Sequence, residues 1–171
     1  NIISEKEDGV AFVNKILPMT PSQYILQKVV VGFLFGSLSS IVTAYICFRL
    51  SWRDVGIMLV LILLSSFVAA LIGLFIGKFS ESLMVGVVYI KIVMLLFIAV
   101  PIVCALIGVS GPIAVVCNIV PSQPAFDGIL ALSAGSMGTA MKDIGILAVH
   151  CVAWFALYVL ISTQRQRQVI Q

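Results

Sequence analysis

Charge is what this chain has least of. Only 10% of its 171 residues are Asp, Glu, Lys or Arg, where a soluble domain carries about a quarter. Carboxylates are the scarcer sign, seven against ten Lys and Arg, and none lies inside a firm apolar stretch. A proton- or sodium-coupled carrier would therefore lack its usual intramembrane carboxylate. Histidine occurs once, as His150. There is no H-E-x-x-H, no C-x-x-C, no pair of intramembrane carboxylates and no clustered set of metal ligands, so neither a metal site nor catalytic residues are expected. Gly73-Leu-Phe-Ile-Gly77-Lys78 looks like a phosphate loop but is not one. It has three residues between the glycines where four are needed, no Ser or Thr after the Lys, and it closes an apolar helix. The chain itself is expected to bind no cofactor. Ser136 and His150 are the only hint of an intramembrane serine hydrolase, and the G-x-S-x-G spacing is not met.

What the chain has is apolar surface: 61% hydrophobic residues and a mean hydropathy of +1.20. That composition belongs to a polytopic membrane protein. The net charge of +3 is spread over short connectors rather than one face, so no nucleic acid is expected as a partner. The first residues are polar and carry no signal-peptide pattern; the expectation is a piece of a longer protein with membrane helices upstream. The four cysteines, Cys47, Cys104, Cys117 and Cys151, are scattered and read as small apolar residues. Cys117 is the least settled, with a disulfide or metal role left open, because it lies near the outer face.

The predicted architecture is all-α. A cytoplasmic amphipathic segment, 1–28, precedes a transmembrane domain, 29–171. Within the first, Ser4 and Glu7 form a capping box. Glu5, Glu7 and Asp8 suit the positive end of a helix dipole and Lys15 the negative end. Val10, Val13, Ile16 and Leu17, with Phe12 beside them, make one apolar stripe. Pro18 stops the helix, and Thr20-Pro21-Ser22-Gln23 starts another. Helices that lie on lipid are usually Lys- and Arg-rich on their polar face. This one opens acidic, which favours a protein socket over an anionic bilayer surface.

Four spans are predicted, over about 29–48, 55–76, 83–107 and 144–161. Gly32, Gly36 and Ser40 form a small-residue ridge on the first, suited to close helix packing within the chain or to a dimer contact. Trp52 suits the membrane interface. Lys91 is the only charge within the third span; its amine snorkels to the boundary or lines a substrate path, the role open to His150 also. Pro101 should kink the far half of that span. Residues 108–142 differ. Ser110-Gly-Pro112 and Pro121-Ser-Gln-Pro124 bracket a largely apolar run of eight residues, Ile113 to Val120, too short to cross. A second short run, Phe126 to Ala134, ends at Gly135. Two broken pieces make a re-entrant or interfacial hairpin, covered by protein or facing a wet cavity.

Four spans put both chain ends on one side. That side carries Lys6, Lys15, Lys28, Lys78, Lys91, Arg165 and Arg167; the other carries Arg49, Arg53 and Lys142. The excess places both ends in the cytoplasm and the hairpin outside.

The opening segment also resembles the coupling segment of type-2 ABC transporter permeases. Glu5-Lys6-Glu7-Asp8-Gly9-Val10 stands where that family has E-x-E-x-G-T. Leu17-Pro18-Met19-Thr20 and then Gln27-Lys28 follow where it has P-[LIVM]-[ST] and G-K. Val10 and Gln27 depart from the pattern. The broken hairpin before the last span is a second likeness, to the paired half-helices of such permeases. The resemblance implies an exporter permease working as a homo- or heterodimer in the lipid bilayer. It implies an ABC ATPase subunit or domain that binds ATP and magnesium. Glu5, Glu7, Gly9, Phe12, Val13, Ile16, Leu17 and Pro18 would form the coupling surface for that ATPase. The competing reading is a carrier or channel without an ATPase.

Overall fold

A computed structural model describes residues 21–48, 52–108 and 111–168. Among them the chain is helical, with no strand. The six helices are α1 (Pro21–Cys47), α2 (Trp52–Phe79), α3 (Leu83–Ile107), α4 (Pro112–Cys117), α5 (Ser122–Ser133) and α6 (Met137–Gln168). Four are long and apolar enough to cross a membrane: α1, α2, α3 and α6. The opening segment, up to residue 20, lies outside the described residues.

The helix ends follow local chemistry. Pro21 is the first residue of α1, where a missing N–H costs nothing. Ser82 caps α3, its hydroxyl accepting the Val85 N–H at 3.3 Å. Gly108 ends the same helix in the left-handed region, φ 65°. Pro101 lies buried inside α3, with no N–H to give the Phe97 carbonyl; the helix continues to Ile107. Gly135, φ 75°, turns the chain out of α5. There the Ser136 N–H donates to the Ala131 carbonyl at 2.8 Å and the Gly135 N–H to the Leu132 carbonyl at 3.0 Å, a Schellman closure.

The last long helix starts at Met137, ahead of the expected 144. Lys142 and Asp143 interrupt the hydropathy there and read as connector, but they are carried within α6. Lys142 is exposed, while Asp143 is buried. The absence of carboxylates from the spans is therefore corrected: one lies in the membrane-length stretch Met137–Ile161.

The helix at the centre is α2. Of its most apolar stretch 44% is buried within the chain, against 6% for α1, 6% for α3 and 11% for α6. It packs against α1, α3, α5 and α6. Towards its start Met58 and Ile62 meet Ala44 of α1, Leu132 of α5 and Ala140 of α6. Towards its end Leu71, Leu74 and Phe75 meet Tyr158 and Trp154 of α6. Phe75 packs edge-on against Trp154 at 5.6 Å and Tyr158 at 5.5 Å. Lys78 Nζ lies 5.4 Å from the centre of the Tyr158 ring. The outward faces of α1 and α3 stay apolar and exposed, as a bilayer requires.

Candidate functional site

The coupling residues expected from sequence, Glu5, Glu7, Gly9, Phe12, Val13, Ile16, Leu17 and Pro18, lie outside the described residues. The helix they would feed is α1, and its inner face is a seam of small residues. A Cβ on Gly32 would meet Ala70 Cβ at 3.6 Å, and one on Gly36 would meet Ser66 Cβ at 3.7 Å. Two of the three ridge residues thus lie against α2 of the same chain. Ser40 is exposed and lines a groove of about 280 Å³ with Ser39, Thr43, Ser65 and Ile129. Small residues on both helices let the backbones approach, which in lipid is the chief source of helix attraction.

The polar chemistry gathers at the hairpin. On α5, Gln123 Nε2 donates to Asp127 Oδ2 at 2.8 Å, one turn apart. Gln123 and Asp127 line a small cavity of about 160 Å³ with Asn118, Cys104 and Cys117. Gln123 is buried and its Oε1 has no partner; Ser122 Oγ and Asp143 Oδ2 are likewise unpartnered. Asp143 faces α5 across Gly128, whose absent side chain leaves the space: a Cβ there would lie 3.2 Å from Asp143 Cβ and 2.9 Å from Leu61 Cδ2. Among the described residues no three His, Cys, Asp or Glu could hold a metal ion.

His150 ties α6 to this cluster. Its Nε2 lies 2.8 Å from the Asn118 carbonyl oxygen. A carbonyl only accepts, so Nε2 carries the proton and donates. Replacing His150 with Phe keeps the bulk and strands that carbonyl. The expected loss is about 1–2 kcal/mol, read as a lower melting temperature in detergent, while His150→Gln recovers part of it. Unchanged stability in His150→Phe would mean the bond holds nothing.

Ser136 and His150 do not form a catalytic pair. Ser136 precedes the first residue of α6 and His150 lies within it, so at 1.5 Å per residue they stand about 20 Å apart along the axis. Lys91 is exposed on α3 and lines none of these cavities, whereas His150 is half-buried against the hairpin. Cys104 and Cys117, thirteen residues apart, come together with their sulfurs at 2.6 Å. Nothing in their spacing announces that.

The described residues thus hold four membrane-length helices with a broken pair of short helices before the last of them. The family described as ABC-2 family transporter protein matches residues 1–160. This chain belongs to the ABC-2 transporter family. It is a multi-pass membrane permease of an ABC-type system, a transport subunit rather than an enzyme. No curated protein matches the chain, and no solved structure does. Membership in the ABC-2 family implies an ABC ATPase as partner.

Proposed function

We propose that this ABC-2 permease exports its substrate across the membrane, powered by ATP and magnesium held on a partner ATPase, with two permease copies framing the path. The match to the family over residues 1–160 carries this reading. The excess of Lys and Arg at the chain-end side supports cytoplasmic ends, which is where an ATPase works.

In this reading the segment from Glu5 to Leu17 docks on the ATPase. Movement there is passed at the elbow from Pro18 to Pro21 into the start of α1. The Gly32–Ala70 and Gly36–Ser66 contacts hand it to α2. From α2 it reaches the hairpin and α6 through Leu61 and Gly128. The hairpin is re-entrant on this account: Ile129 and Leu132 reach Met58 and Ile62, about 9 and about 15 Å along α2 from its start. Gly32 and Gly36 contact α2 of the same chain, so on this account the dimer contact lies mainly on another face.

Purification of the whole protein in mild detergent tests this. Wild type should bring down an ATPase, and a variant with Glu7→Lys and Phe12→Asp should lose most of it while keeping its melting temperature. An ion-coupled carrier is the second reading, and the buried Asp143 carboxylate favours it. If wild type brings down no ATPase, and transport needs an ion gradient and Asp143, the carrier reading replaces the exporter.

A further inference from the structure

We propose that Cys104 and Cys117 are a disulfide-forming pair that staples the first half of the hairpin to the end of α3. The inference rests on the reading that the hairpin faces the outside, where disulfides persist.

The two sulfurs lie 2.6 Å apart, well inside the separation of sulfurs that merely touch. Cys104 is buried near the end of α3, and Cys117 is the half-buried last residue of α4. The helix that carries Cys117 has little else to hold it. It has six residues and none is buried; Ile113, Val115 and Val116 are exposed. A helix that short has no stability of its own. Its described anchors are the Cys117 side chain and, one residue on, the Asn118 carbonyl held by His150. A covalent link there closes a short loop and removes freedom from the unfolded chain. It also fixes one wall of the polar cavity, which both cysteines line.

The oxidant is a dithiol–disulfide oxidoreductase of the outer compartment, in its disulfide form. Cys117 is the more exposed thiol, so its thiolate attacks one sulfur of the oxidant. A mixed disulfide forms and one oxidant sulfur leaves as thiolate. The Cys104 thiolate then attacks the Cys117 sulfur, and the second oxidant thiolate leaves. Two cysteine thiols give up two electrons and two protons, and the oxidant disulfide becomes a dithiol.

The test uses the full-length protein in its native membranes. The membranes are acid-quenched and denatured, and thiols are blocked with N-ethylmaleimide. Reduction and labelling with iodoacetamide follow. Denaturing first removes burial as a cause of protection. Peptide mapping should show Cys47 and Cys151 blocked in the first step, Cys104 and Cys117 labelled only after reduction, and one joined peptide before it. A Ser136→Cys variant in right-side-out vesicles, probed with an impermeant maleimide, reports the side of the hairpin. Free Cys104 and Cys117 with Ser136→Cys labelled from outside overturns the disulfide and leaves the placement standing. Free thiols with Ser136→Cys shielded from outside overturns both.

Discussion

Gly128→Val should lower the melting temperature of the detergent-solubilised protein by several degrees, with a loss of about 1–3 kcal/mol. Gly128 is buried on α5 where that helix crosses α2 and α6. A Cβ would already sit 2.9 Å and 3.3 Å from the two methyls of Leu61 and 3.2 Å from Asp143 Cβ. Leu61 is 1% exposed, so its side chain has nowhere to swing. With Ala, the crowding is offset in part by a gain in helix propensity of about 1 kcal/mol, and Gly128→Ala should cost less than the valine. Valine adds two branched methyls to the same space with no further propensity gain. The clash has a named partner, so Leu61→Ala should rescue it in part. The double variant should be more stable than the sum of the single effects by about 1 kcal/mol or more. Additive effects, or a Gly128→Val protein that melts like wild type, would mean that α5 does not pack on α2 at this point.

The second large effect is expected from Leu147→Ala. Leu147 is completely buried on α6. In water-soluble cores such a truncation costs about 2–5 kcal/mol, part from transfer and part from the cavity. Lipid is as apolar as leucine, so the transfer part shrinks in a bilayer and the lost packing remains. The loss should therefore fall near the lower end, about 2 kcal/mol. Val149→Ala on the same helix is the control: Val149 is 68% exposed and should cost no more than about 0.5 kcal/mol. Equal effects at the two positions would put the buried face of α6 elsewhere.

The layout of the fold was readable because span length and turn chemistry are local. Pro21 and Gly135 each mark an end that the structure uses. The centre of the bundle was not readable. The most apolar stretches of α2 and α3 share the same mean hydropathy, 2.9, yet one is 44% buried and the other 6%. In water an apolar stripe points to the core, but in lipid both faces are apolar and the pattern vanishes. The small residues Gly32 and Gly36 were the remaining signal, and they do face α2. Asp143 was missed because a Lys-Asp pair looks like a connector, while its burial depends on a glycine fifteen residues earlier. The approach of Cys104 to Cys117 depends on the fold of the turn between them, which spacing does not encode.

The central place of α2 bears on how the chain is made. At about 5–20 residues per second, the ribosome needs several seconds between Leu61 and Gly128. Through that wait α1 and α2 sit in lipid without their later neighbours. Their hydroxyls are prepared for it. Ser37 bonds the Phe33 carbonyl at 2.6 Å, Thr43 that of Ser39 at 2.8 Å, Ser65 that of Leu61 at 2.7 Å and Ser80 that of Ile76 at 2.6 Å. Each leans on the preceding turn of its own segment. Gln123, Asp127, Asp143 and His150, the side chains that gather at the hairpin, all emerge after α1, α2 and α3. Along this stretch biogenesis thus meets the self-sufficient polar groups of α1 and α2 before the mutually dependent ones, which arrive together.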